Sequence, residues 1–158
     1  MNDAGSSASR SPQASSGDVS RRMSLQRTSD THAEVALRRE LHRRGLRFRL
    51  NRVPVAGIRC RPDVVFGPAR VAVFVDGCFW HGCPEHKSWP KANSEWWRHK
   101  IEGNRRRDQE QAARLAGAGW LAIRVWEHEE PEAAARRVEA AVRMRARDRR
   151  PRRTPPLP

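Results

Sequence analysis

Between Val71 and His86 the chain passes from an unbroken apolar run, Val71-Ala72-Val73-Phe74-Val75, into Asp76-Gly77-Cys78-Phe79-Trp80-His81-Gly82-Cys83-Pro84-Glu85-His86. The Val-rich run is short and has no polar alternation, which is the pattern of a strand covered on both faces. The stretch after it has neither helical nor strand period and is broken by two glycines and a proline. It nevertheless holds two thiols, two imidazoles and two adjacent aromatic rings. Cys78-x4-Cys83-x2-His86 is the spacing of three soft ligands for one zinc ion, so this segment is expected to fold around a metal. His81 lies inside that span, either as a ligand or as a group held beside the metal for another task.

The flanking segments supply the layers such a strand needs. Thr31-His32-Ala33-Glu34 reads as a capping box opening a helix, with Ala33, Leu37 and Leu41 as its buried stripe and Gly45 at its end. Glu34 has a structural role in that box, and it is also the kind of first-helix acid that nuclease folds bring to a metal site. Leu46 to Leu50 alternates apolar and basic residues, predicting a half-buried strand. Arg61-Pro62-Asp63-Val64-Val65-Phe66 predicts another, turned by Gly67-Pro68 into the strand ending at Val75. The hairpin would bring Asp63 close to Val75 and Asp76. An acid at the head of an apolar run is costly unless solvated, paired or bound to metal.

A long helix is expected from a Ser94 cap to about Ala118, stopped by Gly119. Its inner stripe by heptad spacing is Trp97, Ile101, Asn104, Asp108, Gln111 and Leu115. Three polar residues in a core-facing stripe mean either a solvated middle or a polar site beneath it. Trp120 to Trp126 alternates as a further strand. His128 follows directly and is a candidate for the fourth metal ligand. Pro131 opens a last helix, with Ala135, Val138 and Val142 apolar. The folded domain is placed at 20–142, with disordered tails at 1–19 and 143–158.

Charge narrows the partner. The net charge is +14. After Val142 there are seven Arg and one Asp, and up to Asp30 four Arg and three Asp, so the part between is itself +7. A basic domain without an apolar run near the ~20 residues of a membrane span points to nucleic acid. Three cysteines that cannot all pair, two of them in a metal-like spacing, and no apolar leader fit a reducing cytoplasm.

The residue types then suggest a reaction. Asp63, the Val75 carbonyl and phosphate oxygens together make a hard oxygen site suited to Mg²⁺. His81 can serve as general base or proton shuttle, with Asp108 orienting it. The zinc would do no chemistry and would pin the loop carrying His81. Phe79 and Trp80 either pack in the core or stack on bases, and Trp97 adds surface of the same kind. Ser20 to Ser24 is either more tail or an arm along DNA, with Met23 as an apolar wedge.

Phe74 to His86 as a whole resembles the signature of the very short patch repair endonucleases. Met23-Ser24, Asp30-Thr31 with Glu34, Arg61-Pro62-Asp63, Trp97 with Lys100 and Asn104, Asp108, and Gly119-Trp120 to Trp126-Glu127-His128 fall in that family's order and spacing. The match covers about Ser20 to Val142. The resemblance implies a restriction-endonuclease-like α/β fold, with a central mixed sheet flanked by helices and a structural zinc site. It implies a monomeric bacterial enzyme, cytoplasmic and nucleoid-associated. Its reaction would be a Mg²⁺-dependent nick on the 5′ side of the T in a T·G mismatch, left when 5-methylcytosine deaminates in double-stranded DNA. By position, Asp63 and the Val75 carbonyl would bind Mg²⁺, His81 supported by Asp108 would be catalytic, and Glu34 would lie in the active site. Phe79, Trp80 and Trp97 would intercalate beside the mismatch, with Met23 on the minor-groove side and Lys100 and Asn104 on the mismatched pair. Cys78, Cys83, His86 and His128 would hold zinc, His86 being preferred to Glu85 for its softness. Some members carry a His where Asp76 stands. An Asp cannot do that proton chemistry and is instead a candidate ligand for a second metal. The competing class is a zinc-stabilised DNA-binding module without catalysis. Such a module has no need of Asp63, His81 and Asp108.

Overall fold

Residues 30–86, 91 and 93–149 are described by a computed structural model. Within them the element order is α1 (His32–Arg43), β1 (Arg49–Leu50), β2 (Val64–Phe66), β3 (Val71–Asp76), α2 (Ser94–Gly117), β4 (Leu121–Trp126) and α3 (Pro131–Asp148). Met23 and the other residues before Asp30 lie outside this range, as do residues 150–158.

The four strands form one mixed sheet in the order β1-β2-β3-β4. The first two pairings are antiparallel, and β3 and β4 run parallel with α2 as their crossover. Period-two alternation divides the side chains of β3 and β4 between two layers. Val71, Val73 and Val125 join Leu37, Leu41, Ala135 and Val138 in a core under α1 and α3. Ala72 and Phe74 pack with Ile58, Cys60 and Leu115 under α2. Asp76 and Arg124 fall on this second, α2-facing side by the same alternation.

The helix ends follow local chemistry. Gly45 (φ 74°) and Gly119 (φ 78°) adopt the left-handed conformation that stops α1 and α2. At each, the next two N–H groups turn back onto the last helical turn: Gly45 to His42 and Leu46 to Leu41, Gly119 to Ala116 and Trp120 to Leu115. At the start of α2 the cap is Asn93, not Ser94. Asn93 sits at φ 57° without a side-chain capping bond, and asparagine tolerates that region better than serine.

Two expectations differ from what is seen. The strand expected over Leu46–Leu50 pairs only through Arg49 and Leu50. Phe48 instead stacks on His42 at 4.5 Å and meets Phe66 edge-on, so packing on α1 competes with extending the ladder. The last helix also continues to Asp148, beyond the Val142 boundary. Arg145 on that extension donates to the carbonyls of Ala69 and Gly119, tying it to the turns that lead into β3 and β4.

Candidate active site and metal centre

Because β2 is antiparallel to β3, Asp63, the residue before it, lies beside the last residues of β3, so Asp63, Val75, Asp76 and the exit of β4 meet at one end of the sheet. Asp63 N–H donates to the Val73 carbonyl (2.9 Å), and its carboxylate accepts from Val75 N–H at 2.7 Å. Burial pushes the Asp63 carboxyl up to about 6, with the charges of Glu34 and Asp76 adding to the rise and the Val75 N–H and Arg38 opposing it. Asp63 is therefore an under-compensated carboxylate beside two other acids, an arrangement that a hard cation would relieve.

Glu34 is buried at 7% exposure. Its carboxylate accepts from the Thr31 hydroxyl at 3.1 Å and the Asp30 N–H at 2.9 Å, and Thr31 Oγ1 accepts from Glu34 N–H. The cap expected for α1 thus forms, and the same side chain contributes charge to the surroundings of Asp63.

The segment after β3 folds back on itself through His81 N–H to the Gly77 carbonyl and Cys83 N–H to the Cys78 carbonyl. It lies tightly on α2. At Gly82 (φ 62°) an added Cβ would sit 2.8 Å from the Ile101 side chain, so only glycine permits this approach. The polar members of the inner stripe of α2 find partners in this layer. Asn104 Nδ2 donates to the Trp80 carbonyl (2.9 Å), Gln111 donates to the Arg59 carbonyl, and Asp108 Oδ2 is 2.6 Å from His81 Nδ1. The stripe is polar because it faces a polar site. Nδ1 of His81 being engaged by a carboxylate favours the tautomer with its proton there, leaving Nε2 as the acceptor.

Two residues essential to this arrangement carry no site assignment from the sequence. Arg124 Nη1 donates to both Asp76 oxygens at 2.7 Å, and Nη2 lies 3.0 Å from Asp108 Oδ1. Glu127 Oε1 accepts from Cys78 N–H at 2.6 Å, holding the root of the loop. The signal for Arg124 was its place as the one charge within an apolar strand. Its partner depends on the β3–β4 register, in which Phe74 faces Arg124, and that is not written in either strand alone.

Beside this site, Cys78, Cys83, His86 and His128 offer ligand atoms that all lie within 4.8 Å of one another. Both imidazoles turn Nδ1 to the thiols, with Cys78 Sγ 3.0 Å from His128 Nδ1 and 3.8 Å from His86 Nδ1. Two sulfurs and two nitrogens at this spacing suit one tetrahedral metal ion. Glu85 lies outside the set and reaches His128 Nε2 at 3.3 Å, the placement of a carboxylate backing a ligand imidazole.

On the other side of the loop, Phe79, Trp80 and Trp97 form one partly buried aromatic cluster. Ring centroids are 5.2 Å apart for Phe79–Trp80 and Phe79–Trp97, and 5.9 Å for Trp80–Trp97. Trp96 extends it at 4.8 Å from Trp97. Lys100 is exposed one turn before Asn104 on the same helix. No helix among the described residues is long and apolar enough to cross a membrane.

A family model described as DNA mismatch endonuclease Vsr matches residues 15–89. The chain is 44% identical to the type II nicking enzyme V.NaeI of Lentzea aerocolonigenes over 113 residues, 70% of this chain and 68% of that protein. It is 39% identical to the type II nicking enzyme V.NmeDIP of Neisseria meningitidis serogroup C over 126 residues, covering 77% and 83% of the two chains. Identity to the DNA mismatch endonuclease Vsr of Escherichia coli is 38% over 102 residues, 63% of each chain.

Proposed function

Since the chain belongs to the Vsr family of DNA mismatch endonucleases, we propose that it nicks one strand of duplex DNA on the 5′ side of the T in a T·G mismatch, starting repair of deaminated 5-methylcytosine. The observation that carries this reading is the convergence of the half-buried Asp63 and the His81–Asp108 pair at one sheet end, beside a cluster of aromatic rings. A DNA-binding module would have no use for the first two. The central sheet with helices on both sides is compatible with the restriction-endonuclease-like architecture.

Asp63 and the Val75 carbonyl would hold Mg²⁺, whose chemistry there is to neutralise phosphate charge and acidify water. His81 takes or delivers a proton through Nε2, while Asp108 holds the ring and favours the imidazolium that forms. Glu34 adds negative charge near Asp63 and fixes the start of α1. Zinc would fill the Cys78, Cys83, His86, His128 cluster and act by rigidity alone, since four protein ligands leave no open position. Phe79, Trp80 and Trp97 would enter the stack, with Met23 approaching from the minor-groove side. Lys100 would reach the mismatched pair. Asn104 would reach the same pair with one N–H of its side-chain amide, while the other is donated to the Trp80 carbonyl and fixes the wedge.

Incubating the purified protein with T·G, matched and other mismatched duplexes, in Mg²⁺ or EDTA, tests the reading. A single nick 5′ of the T, seen only with Mg²⁺ and only on the T·G duplex, is expected. Binding without any nick would leave a non-catalytic module.

A further inference from the structure

We propose that Arg124 is a positioning residue of the active site: by engaging both oxygens of Asp76, it leaves Asp108 as the only carboxylate among the described residues that is bonded to His81. The inference rests on the reading of His81 as the proton-transferring group and adds to it the residue that keeps the ring in place.

Two carboxylates flank the same ring nitrogen. Asp108 Oδ2 is 2.6 Å from His81 Nδ1, and Asp76 Oδ1 is 3.8 Å from it. Asp76 is 4% exposed, so water cannot satisfy its charge, and without a cation it would draw the imidazole toward itself. The Arg124 guanidinium removes that competition. Nη1 donates to both Asp76 oxygens and Nη2 to Asp108 Oδ1, so one planar group joins the two acids. Asp108 then has one oxygen on Arg124 and the other on His81, and its orientation is fixed at both ends.

The fold holds the guanidinium where it is needed. Arg124 stands opposite Phe74 in the β3–β4 register and lies over the Phe74 ring at 4.9 Å. Its plane is thus set by stacking as well as by hydrogen bonds. A lysine in its place would carry the charge but not the fork, and one ammonium could not reproduce bonds to two carboxylates with a fixed angle between them. With both oxygens bonded to one guanidinium, Asp76 is also the counter-ion of Arg124.

The test needs a readout independent of turnover. The hydrogen bond at 2.6 Å should give a proton resonance well downfield of the backbone amides, assigned to His81 Nδ1–H by its absence in His81→Ala. In the intact protein, Arg124→Lys is expected to stay folded and lose that signal. Arg124→Leu should lose it too, with a fall in kcat on the T·G duplex of at least ~10²-fold and little change in Kd. Adding Asp76→Asn to Arg124→Leu removes the competing charge and should restore the signal and part of the rate. Persistence of the signal in Arg124→Lys, or its absence from a folded Asp76→Asn/Arg124→Leu protein, would overturn the proposal. So would a variant with normal kcat and a raised KM, which would make Arg124 a phosphate contact. If the wild-type protein shows the signal and does not nick, the mismatch reading fails and the clamp stands.

Discussion

Asp108 Oδ2 lies 2.6 Å from His81 Nδ1, joining the middle of a 24-residue helix to a loop that follows the third strand. This bond explains why the inner face of α2 is polar at its centre. It also restricts what can replace Asp108. Arg124 donates to the other oxygen of Asp108, so the carbonyl of an asparagine there would face Arg124 and its NH₂ would face His81. That forces the ring proton onto Nε2, the wrong tautomer for accepting a proton. Asp108→Asn is therefore expected to keep its fold and its affinity for mismatched duplex while losing at least ~10²-fold in kcat. Single-turnover nicking beside equilibrium binding measures both.

Asp63 makes the opposite trade, from stability to function. Its folded-state pKa of about 6 exceeds the ordinary 3.8, so the folded protein binds this proton more tightly than the unfolded chain does. The carboxylate then costs stability that is absent below about pH 4, grows as pH rises and is fully present above about pH 6. Asp63→Asn removes that cost and can still accept the Val75 N–H. In EDTA the variant should be more stable than the parent by about 1–3 kcal/mol at pH 8, by the linkage of 1.36 kcal/mol per unit, and gain almost nothing near pH 4. Nicking should be abolished at every pH. Denaturant melts of both proteins at the two pH values decide it. A gain of the same size at pH 4 would show that the Asp63 charge is not the cause.

The metal cluster gives a prediction that separates ligand from support. Cys83→Ala, His86→Ala and His128→Ala should each reduce the zinc retained after dialysis and lower the melting temperature, because a structural metal contributes directly to folding. Glu85→Ala should retain zinc and bind it ~10- to 100-fold less tightly, as removal of a carboxylate behind a ligand imidazole does. Elemental analysis with chelator competition distinguishes the two classes. Zinc lost from Glu85→Ala and kept by His86→Ala would exchange their roles.

Periodicity and turn chemistry carried much of this architecture. The apolar run of β3, the glycines ending α1 and α2, and Pro131 at the start of α3 are local signals; β3, α1 and α2 formed at or within a residue or two of their expected bounds, and α3 began where expected but ran on to Asp148. The same holds for the Cys/His cluster, because Cys78, Cys83 and His86 lie within one loop. What escaped depended on pairing at a distance. Arg124 looks like an ordinary open-face residue of an alternating strand until the parallel register sets it against Phe74, two residues from Asp76. β1 was overextended because Phe48 has a better contact on His42 than in the ladder. Asn104 read as a base-contacting group, and a sequence cannot show that a backbone carbonyl 24 positions earlier lies within reach of its amide.

That contact shapes the last prediction, on recognition. Trp80 belongs to a cluster with Phe79 and Trp97, each ring partly exposed, on a loop fixed at one end by the Cys/His cluster and at its middle by Asn104. Such a wedge costs little to order on binding, so the energy of stacking can go into opening a base step. A T·G step opens more readily than a matched one, so the ring should contribute mainly to mismatched duplex. Trp80→Ala is expected to weaken binding to the T·G duplex by roughly 1–3 kcal/mol and to change matched-duplex binding much less. Asn104→Ala keeps every ring and removes the bond that aims them. It should give a smaller loss of the same selectivity, whereas a purely base-reading Asn104 would leave affinity for other mismatches untouched. Equilibrium binding of both variants to T·G, to another mismatch and to matched DNA, at one fixed salt concentration, tells these apart. Equal losses for Trp80→Ala on all three duplexes would make the ring part of the core and not a wedge.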